Sequence, residues 1–447
     1  MVAIITDDFK REFVQNILTD VEDSSSSYYI GIGRSQDWNA TDTAPTPVNT
    51  LREERNFRLN LQSLKKIEDV SYVVPRYNWS SGSIYTAFSN DQVGYNSNPH
   101  YVITDNNSVY ICLQQGKSIT GNAQASTVKP TSSAETPFKL ADGYIWKFLY
   151  TLSAADTNRY LSANYIPVKY IVSTDGSSSA NDVEQESIQD AAIQKQIGSI
   201  NIVSGGSGYT SAPTVTIIGN GDSAEAIATI SAGAVSKIEI RDSDTTIFNG
   251  SGYDYANVVI SGGGGTGASA RANISMPEGF GADARNDLKS TAIMFNTKPA
   301  ADENDDFIID QDFRQVGLIK NPLVPLTDSD YTLGTASALD KMTLSIISNS
   351  FTSDKTILGG TSGATAYVDR FDSDTIYYHQ TETTGFIPFE AGETVSETDG
   401  AGSGTINDPL ILGDINKFKG EVLYIDNRAA IERSSGQTED LKIIIQL

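Results

Sequence analysis

Apolar residues recur every four positions near the start of the chain, at Phe9, Phe13, Ile17 and Val21. The spacing predicts a helix over about 8–21, capped by Thr6 or Asp7 and docked through its stripe on something apolar. After a polar link at 24–27, residues 28–33 read as a strand that leads into the loop 34–38. A second amphipathic helix is expected from Pro47 to about Glu68. Thr50 and Glu53 there have capping-box spacing, and Leu51, Leu61, Leu64 and Ile67 punctuate a charged segment. From Val70 the pattern is strand-like, with strands at 70–74, 101–104 and 108–113, the last two forming a hairpin over Asp105-Asn106-Asn107. Residues 143–150 read as an aromatic strand, and 153–160 as a turn of helix. Two strands close the pattern at 421–426 and 441–447, the second expected in the centre of a sheet because it is apolar on both faces.

Between 194 and 275 the texture changes to Gly, Ala and Ser with alternating Ile or Val, and a degenerate repeat emerges. Ile200-Asn201-Ile202-Val203, Gly208-Tyr209, 213–217 and 224–230 are echoed by Ile238-Glu239-Ile240, Gly252-Tyr253, 257–260 and 268–274. Aligning Tyr209 with Tyr253 gives an offset of 44 residues, so each copy is a few short strands. Two copies are too few for a solenoid and imply a compact inserted β-module. A second stretch of strand-and-turn texture occupies 344–410. The expected fold class is mainly β, with a β-sandwich core, a few short helices and two inserted small β-modules. The core then comprises 1–193, 276–343 and 411–447, with the modules at 194–275 and 344–410.

Composition supports this class, because 21 Tyr and 37 Gly beside only 20% charged residues favour half-buried strands joined by tight turns. The net charge of −24 repels phosphates and anionic lipid, so nucleic acid is not an expected partner. No stretch approaches the roughly 20 apolar residues of a membrane span. The first residues lack the basic start and apolar segment of a signal peptide, and the expectation is a protein made in the cytoplasm and kept or assembled there.

Candidate chemistry is sparse. Cys112, the single cysteine, sits in the apolar run Val109-Tyr110-Ile111-Cys112-Leu113 and reads as a small core residue. His100 follows Asn98-Pro99 and His379 follows Tyr377-Tyr378, neither with partners at metal spacing. The run Asp302-Glu303-Asn304-Asp305-Asp306, with Asp310 and Asp312, offers oxygens to a hard cation but lacks the glycine and terminal glutamate of an EF-hand, and reads as a solvated loop. Gly262 to Gly265 are not followed by Lys and Ser or Thr and read as a flexible turn. No catalytic, cofactor-binding or metal residue is singled out, and the chain is not expected to be an enzyme.

Seven collinear segments resemble the gene-eight wedge subunit family of the baseplates of T-even-type contractile-tailed bacteriophages. They are Gly33-Arg34-Ser35-Gln36-Asp37-Trp38, Val74-Pro75-Arg76-Tyr77-Asn78-Trp79, the run around Cys112, Asp142-Gly143-Tyr144-Ile145-Trp146-Lys147-Phe148-Leu149, residues 313–323, Gly420-Glu421-Val422-Leu423-Tyr424-Ile425-Asp426-Asn427-Arg428, and 437–443. Tyr77 and Asn78 depart from the basic and acidic residues of that family's loop. The resemblance implies a homodimeric β-sandwich in the virion baseplate, assembled in the host cytoplasm beside other wedge proteins. Within the matched segments, Arg34, Trp38, Pro75, Arg76, Trp79, Tyr144, Trp146, Phe313, Arg314, Asn321, Pro322, Tyr424, Asn427 and Arg428 are the candidate structural or interface anchors. The Trp rings are suited to pinning loops. Each Arg is expected to bind a carboxylate or carbonyl, within the fold or across a subunit boundary. The competing reading is a receptor- or glycan-binding tail protein, motivated by Tyr-rich loops and Gly-rich modules, although neither module holds a Trp to stack on a sugar.

Overall fold

The computed structural model describes residues 3–67, 69–95, 98–243, 246–300, 302–434 and 436–447. The protein is mainly β, with 41% of residues in strands against 11% in helices, of which there are five among the described residues. These are α1 (Asp7–Glu22), α2 (Leu51–Asn60), α3 (Ala154–Tyr160), α4 (Ala180–Asp190) and α5 (Ala284–Asp287). The chain forms two compact units, one of Met1–Val14, Ser71–Ile293 and Ile445–Leu447, the other of Gln15–Val70 and Met294–Ile444. The expected core segments 1–193, 276–343 and 411–447 are therefore each shared between the two.

Three expectations need correction. In α1 the buried residue is Val14, whereas Phe9 and Phe13 are about half exposed or more. A four-residue step overshoots a 3.6-residue turn by about 40°, so the stripe winds away from the buried side. The second helix stops at Asn60, and Leu61–Lys66 is a strand. Its Leu61 and Leu64 fit a helical spacing, but the segment is claimed on both sides, by Tyr28–Gly33 and by Thr335–Ser337. Glu68, the expected end of that helix, lies outside the described residues. Leu441–Gln446 is an edge strand, and only Ile443 in it is fully buried.

The second unit is built on a five-stranded antiparallel sheet in the order Thr335–Ser337, Leu61–Lys66, Tyr28–Gly33, Gln311–Lys320, Glu421–Arg433. Thr50 caps α2 by accepting from the Glu53 amide at 3.2 Å. The helix seats Phe57 over Gly317, where a Cβ would lie 2.3 Å from the ring. In the same unit the strands from Asp340–Asn349 to Ser403–Ile411 close into a six-stranded barrel, filled by Met342, Ile357, Val368, Ile376, Val395 and Ile406.

The first unit contains the hairpin Tyr101–Ile103 and Ser108–Gln114, joined by Ile145–Thr151 and Phe138–Lys139. It also holds a six-stranded sheet drawn from Ile197–Ser207 through Thr266–Ile274. In that sheet the 44-residue repeat is a local two-fold. The central pairs Val215↔Ile260 and Thr216↔Val259 exchange under the shift. Gly208 and Gly252 have φ of 78° and 79°, and each places a buried tyrosine ring, Tyr209 or Tyr253, on two glycines of the other copy. Tyr209 lies against Gly263 and Gly265, and Tyr253 against Gly219 and Gly221. Gly262 to Gly265 do form a turn, and Gly263 and Gly265 within it seat an aromatic ring.

A methyl group at Gly221 would stand 2.6 Å from the Tyr253 ring and one at Gly265 2.5 Å from the Tyr209 ring. Gly221→Ala and Gly265→Ala are each expected to cost about 1–3 kcal/mol in denaturant unfolding, and to cost similar amounts because the sites are equivalent. A large inequality between the two would show that the copies are not energetically matched.

Candidate functional site

The main cluster of anchors arises in the second unit, where three neighbouring strands put Gly33, Gln315 and Asn427 side by side. Just past Gly33 the chain turns at Arg34, whose φ of 60° is unusual for a residue with a side chain. The turn lays Arg34 over the Trp38 ring, 4.2 Å from its centroid. Trp38 Nε1 donates to the Arg428 carbonyl at 2.7 Å, and its backbone N–H donates to Asp42 at 3.0 Å. Buried Arg314 clamps the loop: Nε donates to both Asp42 oxygens at 2.9 and 3.0 Å, Nη2 to Asp37 at 2.7 Å and Nη1 to the Ser35 carbonyl. Those bonds, led by Arg314, hold the Asp42 carboxyl below its ordinary value. Asn427 accepts from Gln315 Nε2 at 2.8 Å and donates to the Pro45 carbonyl at 3.1 Å and to Glu53 at 3.2 Å. Arg428 donates to Asp426 at 2.6 Å. Five anchors, Arg34, Trp38, Arg314, Asn427 and Arg428, are therefore one cluster.

The other anchors of this unit are apart from it. Phe313 is buried in the sheet. Asn321 exchanges two 2.8 Å bonds with the Ser27 backbone, and the Pro322 carbonyl accepts from Tyr331 at 2.9 Å. Tyr424 lines a shallow groove of about 330 Å³ with Pro47, Val48 and Leu51.

In the first unit Pro75, Arg76 and Trp79 secure the loop after Asp69–Pro75. The Pro75 carbonyl accepts from Tyr101 Oη at 2.7 Å, Arg76 donates to the Ser162 carbonyl at 2.8 Å, and Trp79 Nε1 donates to Ser126 at 3.2 Å. Tyr144 and Trp146 stack at 5.8 Å in the core.

Beside the main cluster is a cleft of about 510 Å³ that sequence reasoning missed. It is lined by Arg34, Trp38, Asn56, Asn60 and Gln315 and walled by Tyr367 and Glu382 of the barrel segment. Burial, and then the adjacent Arg314 charge, push the Arg34 guanidinium below its ordinary value. Next to Tyr367, His379 Nδ1 bonds Asp369 at 2.5 Å, and Gln62 reaches the other Asp369 oxygen at 2.8 Å. Both His379 and Asp369 are fully buried. The acidic loop is tied down piecemeal, Glu303 by Lys65, Asp305 by Arg370 and Asp306 by Thr335. Among the described residues no group of three or more His, Cys, Asp or Glu is placed to hold a metal ion. Among them too, no helix is long and apolar enough to cross a membrane.

Cys112 is fully buried, and burial pushes its thiol up. His100, buried against Phe88 and Tyr101, bonds the Asp287 carbonyl at 3.2 Å, and burial lowers its pKa to about 4. Its folded value lies below the unfolded one, so its contribution is intact above about pH 6.5 and is lost as pH falls toward 4, by about 3 kcal/mol in all. Buried Asp287 has the opposite sign, since burial raises its carboxyl. The difference between wild type and His100→Gln isolates the histidine: the variant is expected to lose less stability between pH 7 and 4.5, and parallel pH profiles would refute the assignment.

No protein-family model matches this chain, and a search of curated proteins likewise returns no significant match.

Proposed function

We propose that the chain is a structural, non-enzymatic subunit of a contractile phage-tail baseplate, a homodimer that holds neighbouring wedge proteins together and takes part in baseplate rearrangement. The observation that carries this reading is the convergence of three of the resembling segments, 33–38, 313–323 and 420–428, on the Arg314 cluster. Their Arg, Trp and Asn side chains fix a loop on a sheet edge, the kind of rigid surface an assembly uses for contact. Both histidine rings are sealed from solvent, with exposures of 1% and 0%, which suits packing better than proton transfer to a substrate.

The test is light scattering on the purified chain, alone and mixed with the other wedge proteins of its phage. A species of about twice 48.1 kDa that enters a larger complex is expected. A monomer or trimer indifferent to those proteins would overturn the reading and favour receptor binding.

A further inference from the structure

The cleft beside Trp38 carries unmet hydrogen-bonding capacity. In a chain with 56 acidic residues, Arg34 makes no ion pair among the described residues; its guanidinium donates once, to the Asp37 carbonyl at 3.0 Å, and its Nε is buried without a partner. The neighbouring cation, Arg314, holds three carboxylates. Gln315 is 2% exposed, and while its Nε2 is committed to Asn427, its Oε1 is buried without a partner. Buried groups left unmet in this way are costly, and Arg34 is held besides in a left-handed backbone conformation. One side of the cleft thus offers a cationic fork and a free amide acceptor, the aromatic rings of Trp38 and Tyr367 line the same space, and the carboxylates there are already held, Asp37 by Arg314, Glu53 by Asn427 and Glu382 by Arg52.

We propose that this cleft is a carboxylate-binding site for a peptide, with the carboxylate on Arg34, an adjacent peptide N–H on Gln315 Oε1 and the apolar stem against Trp38 and Tyr367. A planar fork pairs with a carboxylate through two parallel bonds, and a neighbouring N–H satisfies the one acceptor that a carboxylate cannot. A chain terminus and an aspartate or glutamate side chain both present this chemistry. The site does not depend on the baseplate reading.

Calorimetry on the full chain tests it with three probes: acetyl-trialanine with a free terminal carboxylate, the same peptide amidated, and a peptide blocked at both ends with one central glutamate. Saturable binding of the first identifies a terminal carboxylate, binding of the third a side chain, and either supports the proposal when the amide does not bind. Arg34→Gln is expected to weaken binding at least about tenfold with the circular dichroism spectrum unchanged. If that variant does not fold, Arg34→Lys decides: it keeps the charge and loses the fork, and an unchanged affinity overturns the proposal. Equal binding of the neutral amide, binding that survives Arg34→Gln, or no saturable heat up to about 10 mM peptide would overturn it as well.

Discussion

Arg433→Met is expected to destabilise the second unit by about 3–5 kcal/mol, whereas the double variant Arg433→Met/Glu439→Met should recover most of that loss. Arg433 and Glu439 form a two-bond pair at 2.9 and 3.0 Å with side-chain exposures of only 2% and 7%. Arg433 also donates to the Ile308 carbonyl at 2.7 Å and lies over the Phe307 ring. Removing the cation strands a carboxylate where water cannot reach it, while removing both charges leaves apolar volume for apolar volume. Trp38 is the only tryptophan of this unit, so its emission, in a chain whose Trp79 and Trp146 are replaced by Phe, reports its unfolding in urea. A double variant as unstable as the single one would mean that the other contacts of Arg433, the Ile308 bond and the Phe307 ring among them, and not the charge pair, are the main term.

For the first unit the large effect is expected at Trp146. Its ring is fully buried between Tyr85 and Tyr144, with centroids at 5.6 and 5.8 Å, and no partner for its Nε1 is found among the described residues. Trp146→Ala removes the largest fully buried side chain and should cost about 3–5 kcal/mol. Trp146→Phe keeps an aromatic ring in the stack and removes the unmet donor, so its cost should stay under about 2 kcal/mol. Chemical denaturation followed by near-ultraviolet circular dichroism separates the two. Similar losses in both variants would mean that the indole nitrogen is satisfied in solution, by a water molecule for example.

How much of this was legible in the sequence depended on distance along the chain. The hairpin 101–113 could be read because its apolar runs flank a turn, and Asn107 indeed takes the left-handed φ of 62° that such turns use. The 44-residue repeat was visible because Gly208-Tyr209 and Gly252-Tyr253 are local signatures of a geometry that recurs. Leu61–Lys66 reads as helix because leucines three apart share a helix face, whereas a regular strand would point them opposite ways; here a bulge at Ile32/Gly33 pairs Leu64 with Gly31 and Leu61 with Gly33 and brings both into one core. Helix α4 gave little signal, since only Gln185 and Ile188 of its residues are buried; its Gln189 instead bonds both backbone groups of Ile171 like a strand neighbour. Arg34, Trp38 and Arg314 stood out as large or cationic residues in an acidic chain, but Asp42 is 272 residues from Arg314 and Tyr367 is more distant still from Arg34. No local pattern could announce the cleft that they enclose.

The strand registers also decide how freely the chain can vary in length. Ile197 faces Ile274 across a ladder, and Lys341 faces Ile411. Each excursion of some 70 residues or more therefore leaves the rest of the backbone and returns to it at points only about 5 Å apart, no wider than the base of an ordinary hairpin. Either one is attached like a handle, so that it could be trimmed to a tight turn or exchanged for another domain without altering the span its neighbours must bridge.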